Sequence, residues 1–355
     1  MRINSINAWS EKLPLTKPYS IAYKTISDTD LIFVEFILEN GISGLGAANP
    51  FPEVVGETAG ITLANLRSEF VQGFVGRDIR HFNSMIDETA AHFPNRPGTL
   101  AAIDIALHDA FGKFLGVPVL DFYGQKIEPL ATSITIGIKP TSEMIEEAKG
   151  YRAQGFHVLK IKTGHEVEED IERVHKLKEA FGDQFTIRVD ANQGYDITQL
   201  RRFIAATKGM AELIEQPVHK GHEDVLTLLS SEDRKLLVAD ESLLDAGAAS
   251  VLSHPPQPFG VYNIKLMKCG GIKAAKAIAT IAQYAGIDLF WGCNDESLVS
   301  ITAAVHAAYS CPNTKYIDLD GSFDLSKDMA DGGFILKDGY MYPNGKPGLG
   351  ISRLG

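Results

Sequence analysis

The sequence predicts two modules: an α+β unit to about residue 125 and, beyond it, an α/β unit built as a closed parallel barrel. Three observations carry this. The first 125 residues run as strands followed by helices, whereas from residue 126 onward strand-like and helix-like segments alternate. Short β-rich runs then recur, ending at residues 135, 162, 190, 215, 240, 268, 293 and 318, so successive ends are 25 to 28 residues apart, the length of one βα unit. The segments between them are amphipathic at helical period. Eight such units argue for a barrel, and no Gly-rich phosphate loop follows the first run to favour a doubly wound open sheet.

In the first module, residues 31–38 form a β-rich run that ends at Asn40-Gly41, the dipeptide suited to a type I′ hairpin turn. Helical spacing follows at Ile61, Leu63, Leu66 and Phe70, and again over 100–115, where Gly116 and Pro118 end it. A three-stranded sheet with a helical bundle is expected. In the second module the runs are 132–136, 158–162, 186–190, 213–215, 237–240, 261–268, 289–293 and 316–318. Val167, Ile171, Val174, Leu177 and Phe181 share one helical face, and residues 271–286 read as an Ala-rich packed helix.

Composition excludes several classes of function. Hydrophobic residues make up 45% of the 355, and 34 Lys and Arg face 45 Asp and Glu, a formal charge of −11. Such a chain is globular and attracts neither nucleic acid nor an anionic membrane. Cys269, Cys293 and Cys311 make no disulfide framework, the start lacks the apolar run of a signal peptide, and no 18-residue apolar run exists. A soluble cytoplasmic protein is expected.

In a barrel of this kind catalytic groups sit at the C-terminal ends of the strands. The third, fourth and fifth runs end in Asp190-Ala191-Asn192, Glu215-Gln216-Pro217 and Asp240-Glu241-Ser242. Taken singly, a strand-end acid is most often a helix cap or turn residue. Three in register are different, because converging carboxylates repel unless a cation neutralises them, and hard oxygen donors suit Mg²⁺.

Lysines flank these acids. Lys160 and Lys162 share one face of the second run, and two ammonium groups are better placed in the lumen than among apolar helices. On the sixth run Lys265 and Lys268, three apart, cannot share a strand face; Lys268, just before Gly270-Gly271, is taken as the one at the barrel mouth. The second and sixth runs lie across the barrel from each other. A metal with one amine on either side favours removal of an α-proton from one face of a carbon and its return to the other, which is racemisation or epimerisation.

The eighth run adds Asp318-Leu319-Asp320, two carboxylates on one face that are either a solvated turn or a holder for a substrate ammonium. Cys293 has no flanking His to make it a nucleophile. The ten histidines show no ligand spacing.

Together these residues resemble the enolase superfamily, muconate-lactonizing subgroup, and within it the dipeptide epimerases. The motifs are Asp104, Asp109, Gly112, Lys113 and Pro118 before the barrel, the Asp190 and Glu215 strand ends, Lys160-x-Lys162, and Lys265-x-x-Lys268-x-Gly-Gly. The resemblance implies a (βα)₇β barrel over 126–324, capped by an α+β domain over 1–125 to which 325–355 returns. It implies one Mg²⁺ per subunit on Asp190, Glu215 and Asp240, and Lys162 and Lys268 as acid/base groups. Lys160 would steady the substrate carboxylate, Thr135 and Cys293 would line the pocket, and Asp318 and Asp320 would receive a dipeptide's N-terminal ammonium.

Two cap loops, around residues 19–24 and 51–53, would close over the substrate. Relatives that accept an acidic second residue place an Arg in the first of these loops; here only Lys17 and Lys24 are available, so Lys24 is a candidate substrate contact. The expected substrate is an Ala-containing dipeptide (Ala-Ala, Ala-apolar or Ala-Glu, the last from cell-wall peptide), and the expected assembly a homo-oligomer. The alternative is o-succinylbenzoate synthase or muconate cycloisomerase chemistry, which uses the same metal and lysines on a substrate without an amine. A catalytically silent barrel should have lost a ligand or a lysine, and none is missing.

Overall fold

The computed structural model describes residues 1–21 and 24–354. The N-terminal strands β1 (Ile3–Ile21), β2 (Lys24–Leu38) and β3 (Ser43–Ala48) form an antiparallel sheet in that order. Leu31, Ile32, Phe33, Val34 and Phe36 of β2 are fully buried, and the helix Pro97–Leu115 packs on β3. The contact is close: a Cβ at Gly44 would come within 2.2 Å of the Ala106 carbonyl oxygen, and one at Gly46 within 1.9 Å of that of Ala102. The β2–β3 hairpin forms as expected, but not through a type I′ turn. That turn needs positive φ at both central residues, and only Gly41 of the pair has it (84°), with Leu38 N–H reaching the Ile42 carbonyl at 2.8 Å.

Eight parallel strands follow: β4 (Ile134–Ile136), β5 (Val158–Lys162), β6 (Thr186–Asp190), β7 (Ala211–Glu215), β8 (Leu237–Ala239), β9 (Val261–Ile264), β10 (Asp288–Trp291) and β11 (Thr314–Ile317). Each pairs with the next in the chain. The ring closes where Thr132 bridges Ile317 in parallel and Ser133 N–H donates to the Ile317 carbonyl at 3.2 Å. Helices cover the connections, although that from β7 to β8 is only a 3₁₀ segment (Glu223–Leu228) and one short turn (Ser231–Arg234). Among the described residues no helix follows β11, which makes the barrel (βα)₇β. No described helix is long and apolar enough to cross a membrane.

Beyond the barrel lie β12 (Ala330–Gly332), β13 (Phe334–Lys337), β14 (Tyr340–Pro343) and β15 (Ile351–Arg353). β15 reaches the N-terminal sheet, with Arg353 Nη1 2.9 Å from Glu35 Oε2 and its guanidinium over the Trp9 ring. The β13–β14 hairpin instead abuts the barrel's lower rim, where Met341 N–H donates to the Leu130 carbonyl.

The sixth strand departs from the expected one. Residues 261–268 read as one run, yet β9 stops at Ile264 and Leu266–Cys269 winds into a helical turn that Gly270 ends at φ 97°. Lys265 therefore leaves the strand end, and Lys268 lies in the turn after it.

The helix Ile272–Ala285 has no side-chain cap of its own. Asp104, buried on the Pro97–Leu115 helix, accepts from the N–H groups of Ile272 (2.8 Å) and Lys273 (3.1 Å) instead. Its loss strands one buried and one part-buried donor. Asp104→Ala should lower unfolding free energy by about 2–4 kcal/mol, checked by denaturant titration.

Candidate active site

Strand register brings the acids together. Asp190 pairs with Glu215 across β6–β7, Glu215 with Val238 across β7–β8, and Asp240 follows the end of β8. All three are buried at the C-terminal rim. Asn263, one residue before the end of β9, donates to Glu215 Oε1 at 2.7 Å, and its own Oδ1 has no hydrogen-bond partner among the described residues.

The lysines are interleaved with these acids. Lys160 points into the lumen, as its shared face with Lys162 suggested, and its Nζ lies 2.8 Å from Glu215 Oε2, 2.9 Å from Asp318 Oδ2 and 3.1 Å from Asp190 Oδ2. Lys162 Nζ is 2.6 Å from Asp190 Oδ2. Lys265 Nζ is 2.9 Å from Asp240 Oδ2. Lys268 Nζ is tied to both the backbone and side-chain oxygens of Asp240 and to the Asn263 carbonyl (3.0 Å).

Electrostatics follow from burial and these pairings. Burial opposes the charge on Lys160, but Asp318, Glu215 and Asp190 outweigh it, and its pKa lies well above the usual lysine value. Burial works against Asp190 too, yet Lys162 and Lys160 bring it down to about 2. Glu215 is pushed up to about 8, by burial first and then by Asp190. Burial dominates at Lys268 and lowers its pKa.

Two connected chambers open above the rim. The larger, of about 560 Å³, is lined by Asp240, Glu241 and Asn192 below and by Asp28, Thr29, Asp30 and Phe51 of the N-terminal domain above. The smaller, of about 80 Å³, holds Thr135, Lys160, Asp318, Asp320 and Asp324. Lys162, Lys265 and Cys293 border both. Since β5 and β9 are four places apart in the eight-strand ring, Lys162 and Lys265 stand on opposite walls of the junction.

This placement bears on the expected pair of bases. Lys268 borders neither chamber but only a recess of about 10 Å³ beside Asp240 and Lys265, and its ammonium is held by Asp240 and the Asn263 carbonyl. Lys265 takes the position opposite Lys162. The other expected residues converge: Asp318, 3% exposed, accepts from Ser133 Oγ at 2.6 Å and from Lys160, while Asp320 accepts the Thr135 N–H at 2.7 Å. Burial, then Asp318, pushes Asp320 up to about 7. Cys293 Sγ lies 3.2 Å from the Asp318 carbonyl, and burial raises its thiol pKa well above normal, so it lines the pocket without nucleophilic character. The side chains of residues 19–24, Lys24 among them, lie outside the described residues. Phe51, Pro52 and Val54 of the second cap loop do line the larger chamber.

Sequence reasoning did not single out Asn263, Glu241, Asp28, Asp30 or Ser133. For Asn263 a signal existed: it sits two before Lys265, on the same strand face.

As the side chains stand, no three described acidic, His or Cys groups converge as a cation cage. The ammonium groups of Lys160, Lys162 and Lys265 occupy the carboxylate oxygens. The donor set still fits a hard divalent ion. Three buried carboxylates on adjacent strand ends offer oxygen alone, in the number Mg²⁺ takes while keeping positions for substrate oxygens.

Residues 4–124 match the N-terminal domain of mandelate racemase / muconate lactonizing enzyme, and residues 143–353 match the enolase C-terminal domain-like family. The chain is 47% identical, over the full length of both, to the L-Lys-D/L-Arg epimerase of Desulforapulum autotrophicum. It superposes with a TM-score of 0.97 on a dipeptide epimerase from Methylococcus capsulatus complexed with Mg and the dipeptide L-Arg-D-Lys, at 46% identity and 99% coverage of both chains. A dipeptide epimerase from Enterococcus faecalis, complexed with Mg and L-Leu-L-Tyr, gives 0.94 at 34% identity, covering 99% of this chain and 100% of that one.

Proposed function

The chain belongs to the mandelate racemase / muconate lactonizing enzyme family of the enolase superfamily, and from that premise we propose that it is an isomerase that epimerises dipeptides carrying cationic side chains, with Mg²⁺ on Asp190, Glu215 and Asp240. The observation that carries this reading is the junction of the chambers, where two lysines face each other beside three buried carboxylates. Mg²⁺ bound there stabilises the negative charge that develops as an α-proton leaves. Lys162 and Lys265 take the proton from one face of the α-carbon and return it to the other. Asp320, with Asp318 behind it, holds the substrate's N-terminal ammonium in the smaller chamber, and Lys160 meets its carboxylate.

The side-chain reading replaces the Ala-containing dipeptide expected from the sequence. Asp28, Asp30, Glu241 and Asp295 line the larger chamber, and Glu147 and Asp324 the smaller, a lining suited to Lys or Arg. Relatives at 47% and 46% identity are named L-Lys-D/L-Arg epimerases. Incubation in D₂O with Mg²⁺ tests the reading. L-Lys-L-Arg should gain one mass unit at least tenfold faster than L-Ala-L-Glu or L-Ala-L-Ala. Faster exchange with the Ala dipeptides, or turnover of an o-succinylbenzoate precursor alone, would overturn it.

A further inference from the structure

The two chambers differ in how their acids are already matched. In the smaller, Glu147 is bound by Lys139 and by Lys17 at 3.8 Å, so much of its charge is answered within the protein. In the larger, the roof carries Asp28 and Asp30 from β2. Among the described residues the exposed Lys12, across the hairpin on β1, pairs with Asp28, its Nζ 3.1 Å from Asp28 Oδ1, and stands opposite Asp30 in the strand register, while Ser27 Oγ donates to Asp28 Oδ2 at 3.3 Å. The floor of the same chamber presents a second acceptor. Glu241 is 5% exposed, and its Oε2 has no hydrogen-bond partner among the described residues. Roof and floor both offer acceptor oxygens to whatever enters between them.

The roof is fixed in place. Thr29, between the two aspartates, donates from Oγ1 to the Asp295 carbonyl at 3.2 Å, and Asn49 Nδ2 donates both to that carbonyl (2.5 Å) and to Thr29 Oγ1 (2.7 Å). This knot ties the distal hairpin to the barrel rim beside Lys265. With the ammonium of the dipeptide in the smaller chamber and its second α-carbon at the lysine junction, the side chain on that carbon extends into the larger chamber. We infer that Asp28 and Asp30 read a cationic side chain on the residue whose α-carbon reacts, and that Lys12 occupies Asp28 until that cation displaces it.

The inference rests on the dipeptide-epimerase reading, and its test separates the two. Asp28→Asn/Asp30→Asn and Lys12→Met proteins are assayed by deuterium incorporation with L-Ala-L-Lys and L-Lys-L-Ala, which differ only in where the cation sits. The double aspartate variant should lose at least tenfold in kcat/KM for L-Ala-L-Lys, mostly through KM, and less than threefold for L-Lys-L-Ala. Lys12→Met should lower KM for L-Ala-L-Lys about two- to fivefold, a gain that a merely structural role would not produce. Equal losses on both substrates, or no gain from Lys12→Met, would overturn the inference with the epimerase reading intact. Wild-type protein inert towards every dipeptide would remove the reading beneath it.

Discussion

Lys265→Ala should reduce epimerisation by about a thousandfold or more while leaving exchange of the α-proton from one epimer. General acid–base groups contribute on the order of 10²–10⁴ in rate, and this variant cuts the proton path on one face only. Lys162 on the opposite wall still reaches the proton of the epimer that presents it there, and the carboxylates are untouched. Lys162→Ala should show the reverse epimer preference. Lys268→Met serves as the comparison: its ammonium already has three oxygen partners and borders neither chamber. It should keep epimerisation in both directions within about tenfold of wild type, at lower thermal stability because Asp240 loses a buried partner. NMR of α-proton loss in D₂O, run on each epimer separately, decides the matter. One-sided exchange in Lys268→Met, with two-sided exchange in Lys265→Ala, would reverse the assignment.

Glu215→Gln should weaken Mg²⁺ binding about 100-fold or more, read by calorimetric titration of the protein without substrate, so the result does not depend on turnover. The substitution keeps the shape and the Asn263 contact but removes one of three anionic oxygens. The wild-type protein stripped with chelator should lose turnover and regain it when Mg²⁺ is restored. Unchanged affinity in Glu215→Gln would mean that the three strand-end acids are not the ligand set.

Much of this site was legible because a barrel repeats. Once the 25- to 28-residue steps place the strand ends, any charged residue at an end falls on one rim, which makes Asp190, Glu215, Asp240 and the Asp318–Asp320 pair legible in the sequence alone. The sixth strand misled for a local reason. Leu266 and Met267 are as apolar as the strand before them, and nothing in their residue types separates a strand continuing from a turn beginning. The two glycines after Cys269 carried the answer, since a left-handed residue commonly ends a helical turn. Asn40-Gly41 is the converse case: the dipeptide marked the hairpin correctly, but the loop uses only one of its two left-handed options. Asp28 and Asp30 could not be found this way at all. They reach the site through docking of one domain on another, and no periodicity within either module encodes that contact.

The long hairpin has a consequence for how such a protein diversifies. Its base is gripped where Gly44 and Gly46 let the Pro97–Leu115 helix lie against the neighbouring strand, at a distance any side chain would break. Its far half meets the barrel at discrete points, among them the Thr29–Asn49–Asp295 knot, the Thr16–Asp324 backbone bond (2.8 Å) and the Lys17–Glu147 pair. Between anchorages the strand can be rewritten without disturbing a single catalytic atom, since the reacting groups all belong to the barrel. Chemistry and recognition are thus inherited on separate stretches of chain, and selection can drift one while holding the other still.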